Sequence, residues 1–106
     1  FTGRTRTYSY DEAIADLNSA ARLYPELAYI YFNRANLYAL AGDMPAAYDD
    51  YSRALAIAPY LAEAYFNRGL VQLLMKDTQK GAMDLSKAGE MGIKEAYDIL
   101  KRYQRD

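Results

Sequence analysis

The hydrophobic positions of this chain recur with helical spacing in six successive segments, and turn-forming residues separate those segments. In the first segment the apolar residues share one helical face: Ala13, Leu17, Ala20 and Ala21. Ser9 and Glu12 have the spacing of a capping box, in which each residue bonds the backbone of the other. We therefore predict a helix that begins at about Tyr10 and ends near Tyr24, because Pro25 disfavours a helical conformation in the residue before it.

The other five helices are predicted from the same spacing and from the residues that bound them. A second helix runs from about Leu27 to Ala41, and a third follows it up to Ala58. Between these two, Gly42 suits a left-handed helix end and Asp43 suits the N-cap of the next helix. The remaining helices are predicted at about residues 61–75, 78–90 and 93–104.

Part of this pattern repeats at a fixed distance along the chain. Residues 31–35 (YFNRA) return at residues 65–69 (YFNRG), and the distance between them equals that from Pro25 to Pro59. We call this distance the repeat interval. A period of about 34 residues, built from two helices, is typical of an array of stacked helical hairpins.

The composition, with 52% hydrophobic and 25% charged residues among 106, is that of a single globular domain. The net charge of −1 gives no long-range attraction to nucleic acid or to anionic lipid. No apolar run approaches the roughly 20 residues that a membrane-spanning helix needs. We therefore expect neither a nucleic-acid partner nor direct membrane contact, and the compartment stays open.

Catalytic chemistry has few candidate residues in this chain. There is no cysteine and no histidine, which removes thiolate chemistry, the commonest general base and the commonest transition-metal ligand. Asp49 and Asp50 are adjacent on a predicted helix, where side chains diverge by about 100°, so we interpret both as part of a solvated face. No acidic loop of the calcium-binding type occurs. We predict that the chain is not an enzyme and holds no metal or cofactor.

The central part of the chain, from Ala28 to Leu61, resembles the tetratricopeptide repeat, whose pattern is W-x2-L-G-x2-Y, then Ala, an aromatic, Ala and Pro. It matches at Tyr31, Ala35, Tyr38, Gly42, Asp43, Ala47, Tyr51, Ala54 and Pro59. Arg34 departs from the family, which usually has Leu at that position. The next repeat matches at fewer positions: Tyr65, Gly69, Leu85 and Ala88.

This resemblance implies an all-α fold, a right-handed superhelical array of antiparallel helix pairs with a C-terminal capping helix. It divides the single domain of residues 1–106 into five parts. These are a lead-in (1–7), a half repeat (8–27), a full repeat (28–61), a degenerate repeat (62–92) and the capping helix (93–106).

In this family the first helix of each repeat lines a concave surface. Transferred by register, the lining residues are Tyr29, Phe32, Asn33, Asn36 and Leu40 from one repeat and Glu63, Phe66, Asn67, Leu70 and Leu74 from the next. Amides at such positions can bond the backbone of an extended peptide, while aromatic rings pack on its side chains. For Phe32, Phe66 and Leu70, simple packing between helices is an equally good interpretation. Because the groove has Glu63 and no lysine or arginine, capture of a C-terminal carboxylate is disfavoured.

The half repeat at residues 8–27 lacks the helix that would normally precede it. Its uncovered apolar side, with Ala13, Ile14 and Leu17, is therefore expected either to meet a second copy of the chain or to mark a cut in a longer array. We favour the cut, and a homo-oligomer through this face is a plausible result of it.

The function predicted from these features is a non-catalytic scaffold that binds a peptide or protein segment in the concave groove. The alternative is a structural or oligomerisation module, a terminal part of a longer repeat protein that has no ligand in the groove. An enzymatic role would require catalytic residues from a domain outside this sequence.

Overall fold

The computed structural model describes residues 9–103, and six helices without any strand make up this range. They are α1 (Tyr10–Leu23), α2 (Ala28–Leu40), α3 (Met44–Ile57), α4 (Ala62–Leu74), α5 (Thr78–Glu90) and α6 (Glu95–Tyr103). All six predicted helices are present, with ends within about two residues of the predicted ones. The predicted lead-in at residues 1–7, Tyr8 and the end of the capping helix at 104–106 lie outside the described residues.

The helices α1, α3 and α5 begin at N-cap residues that lie one repeat interval apart. The Ser9 hydroxyl accepts from the Glu12 backbone N–H at 3.1 Å, and the Glu12 side chain accepts from the Ser9 backbone, which completes the predicted capping box. Asp43 and Asp77 cap α3 and α5 in the same way, through N–H donors three residues on at 3.2 and 3.3 Å. Each cap satisfies a backbone donor that the helix leaves open.

The helices α2 and α4 are each followed by a residue in the left-handed backbone conformation. Gly42, after α2, has a φ of +91°, and Lys76, after α4, has a φ of +69° at the equivalent position. Glycine adopts this conformation freely, whereas a side chain costs about 1 kcal/mol or more. The second repeat therefore makes the same turn as the first at a higher cost.

The helices pack in adjacent antiparallel pairs. The closest pairs are α2 with α3 and α4 with α5, and α1, α3 and α5 each also pack on the helix that follows. Small residues stand at the tightest contacts: Ala35 and Ala47 are fully buried in one pair, and Gly69 and Gly81 are buried in the other. A Cβ added to Gly81 would lie 2.9 Å from the Gly69 carbonyl oxygen. The backbones of α4 and α5 are therefore in close contact at this point.

Each hairpin also contains a buried ion pair. Asp50 is 0% exposed, and Arg34 donates to both of its oxygens at 2.6 and 2.7 Å. A third donor, Arg53, reaches the same carboxylate at 2.8 Å. The interpretation of Asp50 as part of a solvated face is therefore wrong, whereas its neighbour Asp49 is exposed. The two adjacent carboxylates of α3 therefore lie in different environments, Asp50 in the protein interior and Asp49 in solvent.

The same pair occurs again one repeat interval later. Arg68 donates to both oxygens of Asp84, at 2.6 and 2.9 Å. The remaining nitrogen of each guanidinium reaches back to the preceding repeat, from Arg34 to Asn18 at 2.9 Å and from Arg68 to Ser52 at 3.0 Å. The hydrogen bonds to the carboxylate raise the pKa of Arg34 and of Arg68, although burial opposes this. Both guanidinium groups therefore stay charged inside the array.

Candidate functional site

A cavity of about 470 Å³ lies where α2, α3 and α4 meet. We call it the central pocket. Its lining residues are Asn36, Ala39, Leu40, Met44, Tyr51, Asn67, Leu70, Val71 and Leu74. Five of the ten predicted groove residues are among them: Asn36, Leu40, Asn67, Leu70 and Leu74. None of the nine lining residues carries a charge, so the pocket suits an apolar group.

Two amides and a phenol form the polar part of the central pocket. The Asn36 side-chain oxygen accepts from the Asn67 amide at 3.1 Å and also from the Tyr51 hydroxyl. These two bonds leave the Asn36 amide nitrogen and the Asn67 amide oxygen without a partner among residues 9–103. Neither atom is buried from solvent, since no buried side-chain nitrogen or oxygen in the described part lacks a partner. Asn36 thus has an open donor and Asn67 an open acceptor.

Tyr51 is the buried member of this hydrogen-bonded group. Its side chain is buried, and burial raises its pKa to about 12, an effect that hydrogen bonding to the Asn67 amide partly offsets. The hydroxyl therefore stays protonated at neutral pH and donates to Asn36. Asn36 has a structural role in addition to its position in the pocket, because it is the acceptor for a buried hydroxyl.

The other predicted groove residues of α2 lie away from the central pocket. Tyr29 and Asn33 line a second cavity of about 330 Å³, which we call the edge pocket, together with Tyr60 from the loop before α4. Phe32 lies between the two sites, with its ring 6.2 Å from that of Tyr29 and 5.9 Å from that of Tyr51. The predicted lining is thus divided between two cavities with a packed ring between them.

On α4 the predicted residues also divide. Phe66 is half-buried and packs against the C-terminal core cluster, which contains Leu85 and Leu100, while Glu63 is exposed. A third cavity of about 280 Å³ shares Leu70 and Leu74 with the central pocket. We call it the C-terminal pocket, and it also involves α6 residues that the register of the groove did not include: Ile99, Arg102 and Tyr103.

Several pocket residues were absent from the predicted lining. Met44 and Tyr51 come from α3, the second helix of the hairpin, and the prediction used only first helices. Val71 is adjacent to Leu70 and faces the core as well as the cavity. The sequence signal for Tyr51 was its match to the aromatic position of the repeat, which indicates packing and not cavity lining.

The predicted self-association residues have different environments. Ile14 is only 9% exposed within its own chain, whereas Ala13 and Leu17 are half-buried. Ile14 therefore offers little surface to a second molecule, and self-association through this face stays a prediction. From residue 9 to residue 103, no helix is long and apolar enough to cross a membrane. Nor do three metal-ligating side chains come together anywhere in that range.

Comparison with known proteins identifies the repeat. The model of the tetratricopeptide repeat family matches residues 28–61. In fold the chain is similar to the first TPR of Spaghetti (RPAP3) bound to the HSP90 peptide SRMEEVD, with a TM-score of 0.86 and 23% identity over 91% of this chain and 78% of that chain. No curated protein matches this sequence.

A second solved structure, that of MamA, has a TM-score of 0.83 and 25% sequence identity with this chain. The similarity covers 86% of this chain and 54% of MamA, so this chain spans about half the length of that protein. These similarities confirm the predicted all-α array of antiparallel helix pairs.

Proposed function

We propose that this chain, whose residues 28–61 match the tetratricopeptide repeat family, is a non-catalytic module that binds an extended segment of another protein across the central pocket. The observation that carries this proposal is an uncharged cavity with two open amide atoms at its side. Protein–protein interaction is the general role of proteins with this fold, and the properties of the pocket support the proposal that this chain binds its partner there.

The apolar part of the pocket favours a ligand with a large hydrophobic side chain. Leu40 and Leu74 stand at its rim and are both 64% exposed, which leaves apolar surface for a partner to cover. Burying one such leucine contributes about 1.5–3 kcal/mol. Because Leu40 and Leu74 are already partly buried, covering each of them contributes part of that free energy.

The amide pair favours a peptide in extended conformation. The open Asn36 nitrogen is a donor and the open Asn67 oxygen is an acceptor. An extended residue presents its carbonyl oxygen and its N–H with the complementary polarity. One residue of the ligand backbone would thus bond both amides while its neighbour's side chain enters the pocket.

The charge of the pocket argues against an acidic tail. The TPR of Spaghetti binds the peptide SRMEEVD, which ends in acidic residues and a carboxylate. The central pocket here has no lysine or arginine among its nine lining residues. We therefore expect this chain to prefer uncharged, hydrophobic segments to SRMEEVD.

The experiment is selection of binders from a random peptide library displayed on phage, followed by calorimetry with the synthesised peptides and with SRMEEVD. Leu74→Asp should weaken the selected peptides about tenfold or more, because it removes apolar contact and adds a charge at the rim. Met83→Asp is the matched control, since Met83 is 68% exposed on α5 and lines none of the three pockets. Equal effects of the two variants, or selection of acidic tails, would contradict the proposal.

The amides are tested separately from the leucines. Asn67→Ala should weaken peptide binding with little loss of stability, because Asn67 is half-buried and the buried Tyr51 hydroxyl keeps its acceptor on Asn36. Asn36→Ala should weaken binding and also destabilise the fold by about 1–3 kcal/mol, since the buried Tyr51 hydroxyl loses its acceptor. In a Tyr51→Phe background that stability loss should shrink, whereas the binding loss should persist. A binding loss that disappears in this background would show that Asn36 acts only through Tyr51.

A further inference from the structure

The edge pocket combines exposed aromatic rings with a carboxylate. Tyr29 and Tyr60 line it and are both more than half exposed, and Glu26 and Asn33 line it as well. The other five lining residues are apolar, so the lining contains no lysine or arginine. Aromatic faces and carboxylates both attract positive charge. The pocket therefore suits a cation that comes from another molecule.

Elsewhere in this chain, tyrosine rings already contact cations. The Arg34 guanidinium lies 5.4 Å from the centre of the Tyr31 ring. The Arg68 guanidinium lies 5.6 Å from the centre of the Tyr48 ring and 5.8 Å from that of Tyr65. The two tyrosines of the edge pocket make no such contact with a cation among residues 9–103. Their rings are therefore available to a cation of a partner.

Two equivalent turns hold Glu26 and Tyr60 at the pocket. The turns comprise residues 24–27 and 58–61, and Glu26 and Tyr60 occupy the same position in them, one repeat interval apart. In each turn the last N–H donates to the first carbonyl at 3.2 Å. The Tyr31 hydroxyl also donates to a carbonyl of the first turn, at 2.8 Å. Because both turns are ordered before a ligand arrives, binding costs less conformational entropy.

The repeat itself does not require the aromatic and acidic residues of this pocket. One repeat interval after Tyr29 the chain has Glu63. Tyr60 is followed at the same interval by Lys94, and Glu26 by Tyr60. The second hairpin forms with these different residues, so packing of the repeat does not explain why two tyrosines and a glutamate come together in the first.

We propose that the edge pocket binds a basic side chain, arginine or lysine, of a partner protein. The cationic group would contact the rings of Tyr29 and Tyr60 and pair with Glu26. The Glu26 carboxylate is open to such a partner, because it has no hydrogen bond or ion pair with any residue from 9 to 103. The apolar stem of the basic side chain would pack on Leu27 and Ile57, which line the same pocket.

A single partner segment can reach both the edge pocket and the central pocket. Tyr29 and Asn36 are about 10 Å apart along α2, which about three residues of extended chain span. The apolar side chain proposed above would enter the central pocket, and a basic residue roughly two to four positions away would enter the edge pocket. This spacing rests on the proposed function, whereas the cation site itself does not.

The test is titration of the ¹⁵N-labelled protein with N-acetyl-arginine amide, up to about 100 mM at constant ionic strength. We expect the largest amide shifts at Tyr29, Asn33 and Tyr60. N-acetyl-citrulline amide is the matched uncharged probe and should bind about fivefold more weakly or less. N-acetyl-lysine amide, titrated in parallel, shows which basic side chain binds more tightly. The absence of localised shifts, or equal binding of the arginine and citrulline probes, overturns the proposal.

Glu26→Gln tests the carboxylate, because it removes the charge and keeps the shape of the side chain. It should weaken binding of the arginine probe about threefold or more and leave the citrulline probe unaffected. Glu90→Gln is the matched control, since Glu90 is an exposed glutamate that lines none of the three pockets. Equal effects of the two variants would show that the probe responds only to net charge, which overturns the site.

Two substitutions of Tyr60 test the ring contact. Tyr60→Leu keeps an apolar side chain but removes the ring, and it should weaken binding of the arginine probe. Tyr60→Phe keeps the ring and should bind nearly as the parent does. Equal binding by the two variants, both helical by circular dichroism, overturns the ring contact.

The cation site and the proposed function can fail separately. Neither Glu26 nor Tyr60 lines the central pocket, so the arginine probe reports on the edge pocket whether or not a peptide binds across the central one. Selected peptides should carry a basic residue at the stated distance from their apolar residue, and Glu26→Gln should weaken them. Peptides that bind the central pocket without such a residue would overturn the shared segment.

Discussion

The guanidinium of Arg34 bonds both oxygens of the buried Asp50 carboxylate, Nε to Oδ2 at 2.6 Å and Nη2 to Oδ1 at 2.7 Å. Parallel bonds of this kind are among the strongest that side chains make, and they fix the relative orientation of the two groups. The Arg34 guanidinium also lies 5.4 Å from the centre of the Tyr31 ring. An arginine where the family usually has leucine is therefore compensated by an aspartate on the facing helix.

Asp50→Ala should destabilise the fold by about 3–5 kcal/mol, because it leaves the partly buried Arg34 guanidinium without its counter-charge. Asp49→Ala is the internal control, since Asp49 is the adjacent residue and is exposed; its effect should stay within about 0.5 kcal/mol. Urea unfolding followed by circular dichroism measures both. Similar losses for the two variants would show that the pair contributes no more than a surface charge.

Lys76→Gly should stabilise the fold by about 1 kcal/mol, because it places glycine at a φ of +69° that a side chain disfavours. The reciprocal change, Gly42→Lys, introduces a side chain at a φ of +91° and should destabilise by a similar amount. Thermal unfolding of the two variants beside the parent chain measures the shifts. If both variants lower the melting temperature, the Lys76 side chain makes contacts that outweigh its backbone strain.

Gly81→Ala should destabilise by about 1–3 kcal/mol, although alanine favours helix, because the new Cβ would lie 2.9 Å from the Gly69 backbone oxygen. Gly89→Ala is the comparison. Its Cβ would meet the ring of Tyr97, a half-exposed side chain that is free to move away. The smaller loss is therefore expected at Gly89, and denaturant midpoints compare the two. The reverse order would show that α4 and α5 separate more easily than Tyr97 moves.

Tyr51 should make stability depend on pH under alkaline conditions. Its hydroxyl ionises near pH 10 in an unfolded chain but near pH 12 in the fold. The unfolded chain thus releases this proton first, so the contribution is fully present below pH 10 and is lost as the pH rises towards 12. The slope from one proton is at most about 1.4 kcal/mol per pH unit. Tyr51→Phe should show a shallower decline above pH 10 and a constant offset from the parent below pH 9.

The helices and their caps were predictable because their causes are local. Ser9, Asp43 and Asp77 act on backbone groups three residues away, so a short stretch of sequence contains the whole interaction. The burial of Asp50 was not predictable in that way, since its partner Arg34 is 16 residues distant on another helix. The repeat in the sequence does, however, contain an indication of this ion pair. Arg34 and Asp50 both recur one repeat interval later, as Arg68 and Asp84, which indicates a constant spacing between a cation and an anion within the repeat.

The candidate site was predictable in part for a geometric reason. Register predicts which residues of α2 share a face, but Tyr29 and Asn36 lie two helical turns apart and are thus separated by about 10 Å along the helix. The two residues consequently line different cavities. Register along a single helix also carries no information about the depth of a pocket, which here depends on Met44 and Tyr51 from the facing helix.

The reach of each guanidinium across three helices has a consequence for how the array unfolds. Arg34 joins α2 and α3 to Asn18 of α1, and Arg68 joins α4 and α5 to Ser52 of α3. In a repeat protein, the balance between the intrinsic stability of each unit and the coupling to its neighbours decides whether the ends fray or the whole chain melts together. In this array each arginine contributes both to the stability of its own hairpin and to the coupling with the preceding unit. Opening one hairpin therefore removes a hydrogen bond that the preceding unit makes. The described array should accordingly melt in one cooperative transition, without the gradual fraying that a solenoid of weakly coupled repeats shows.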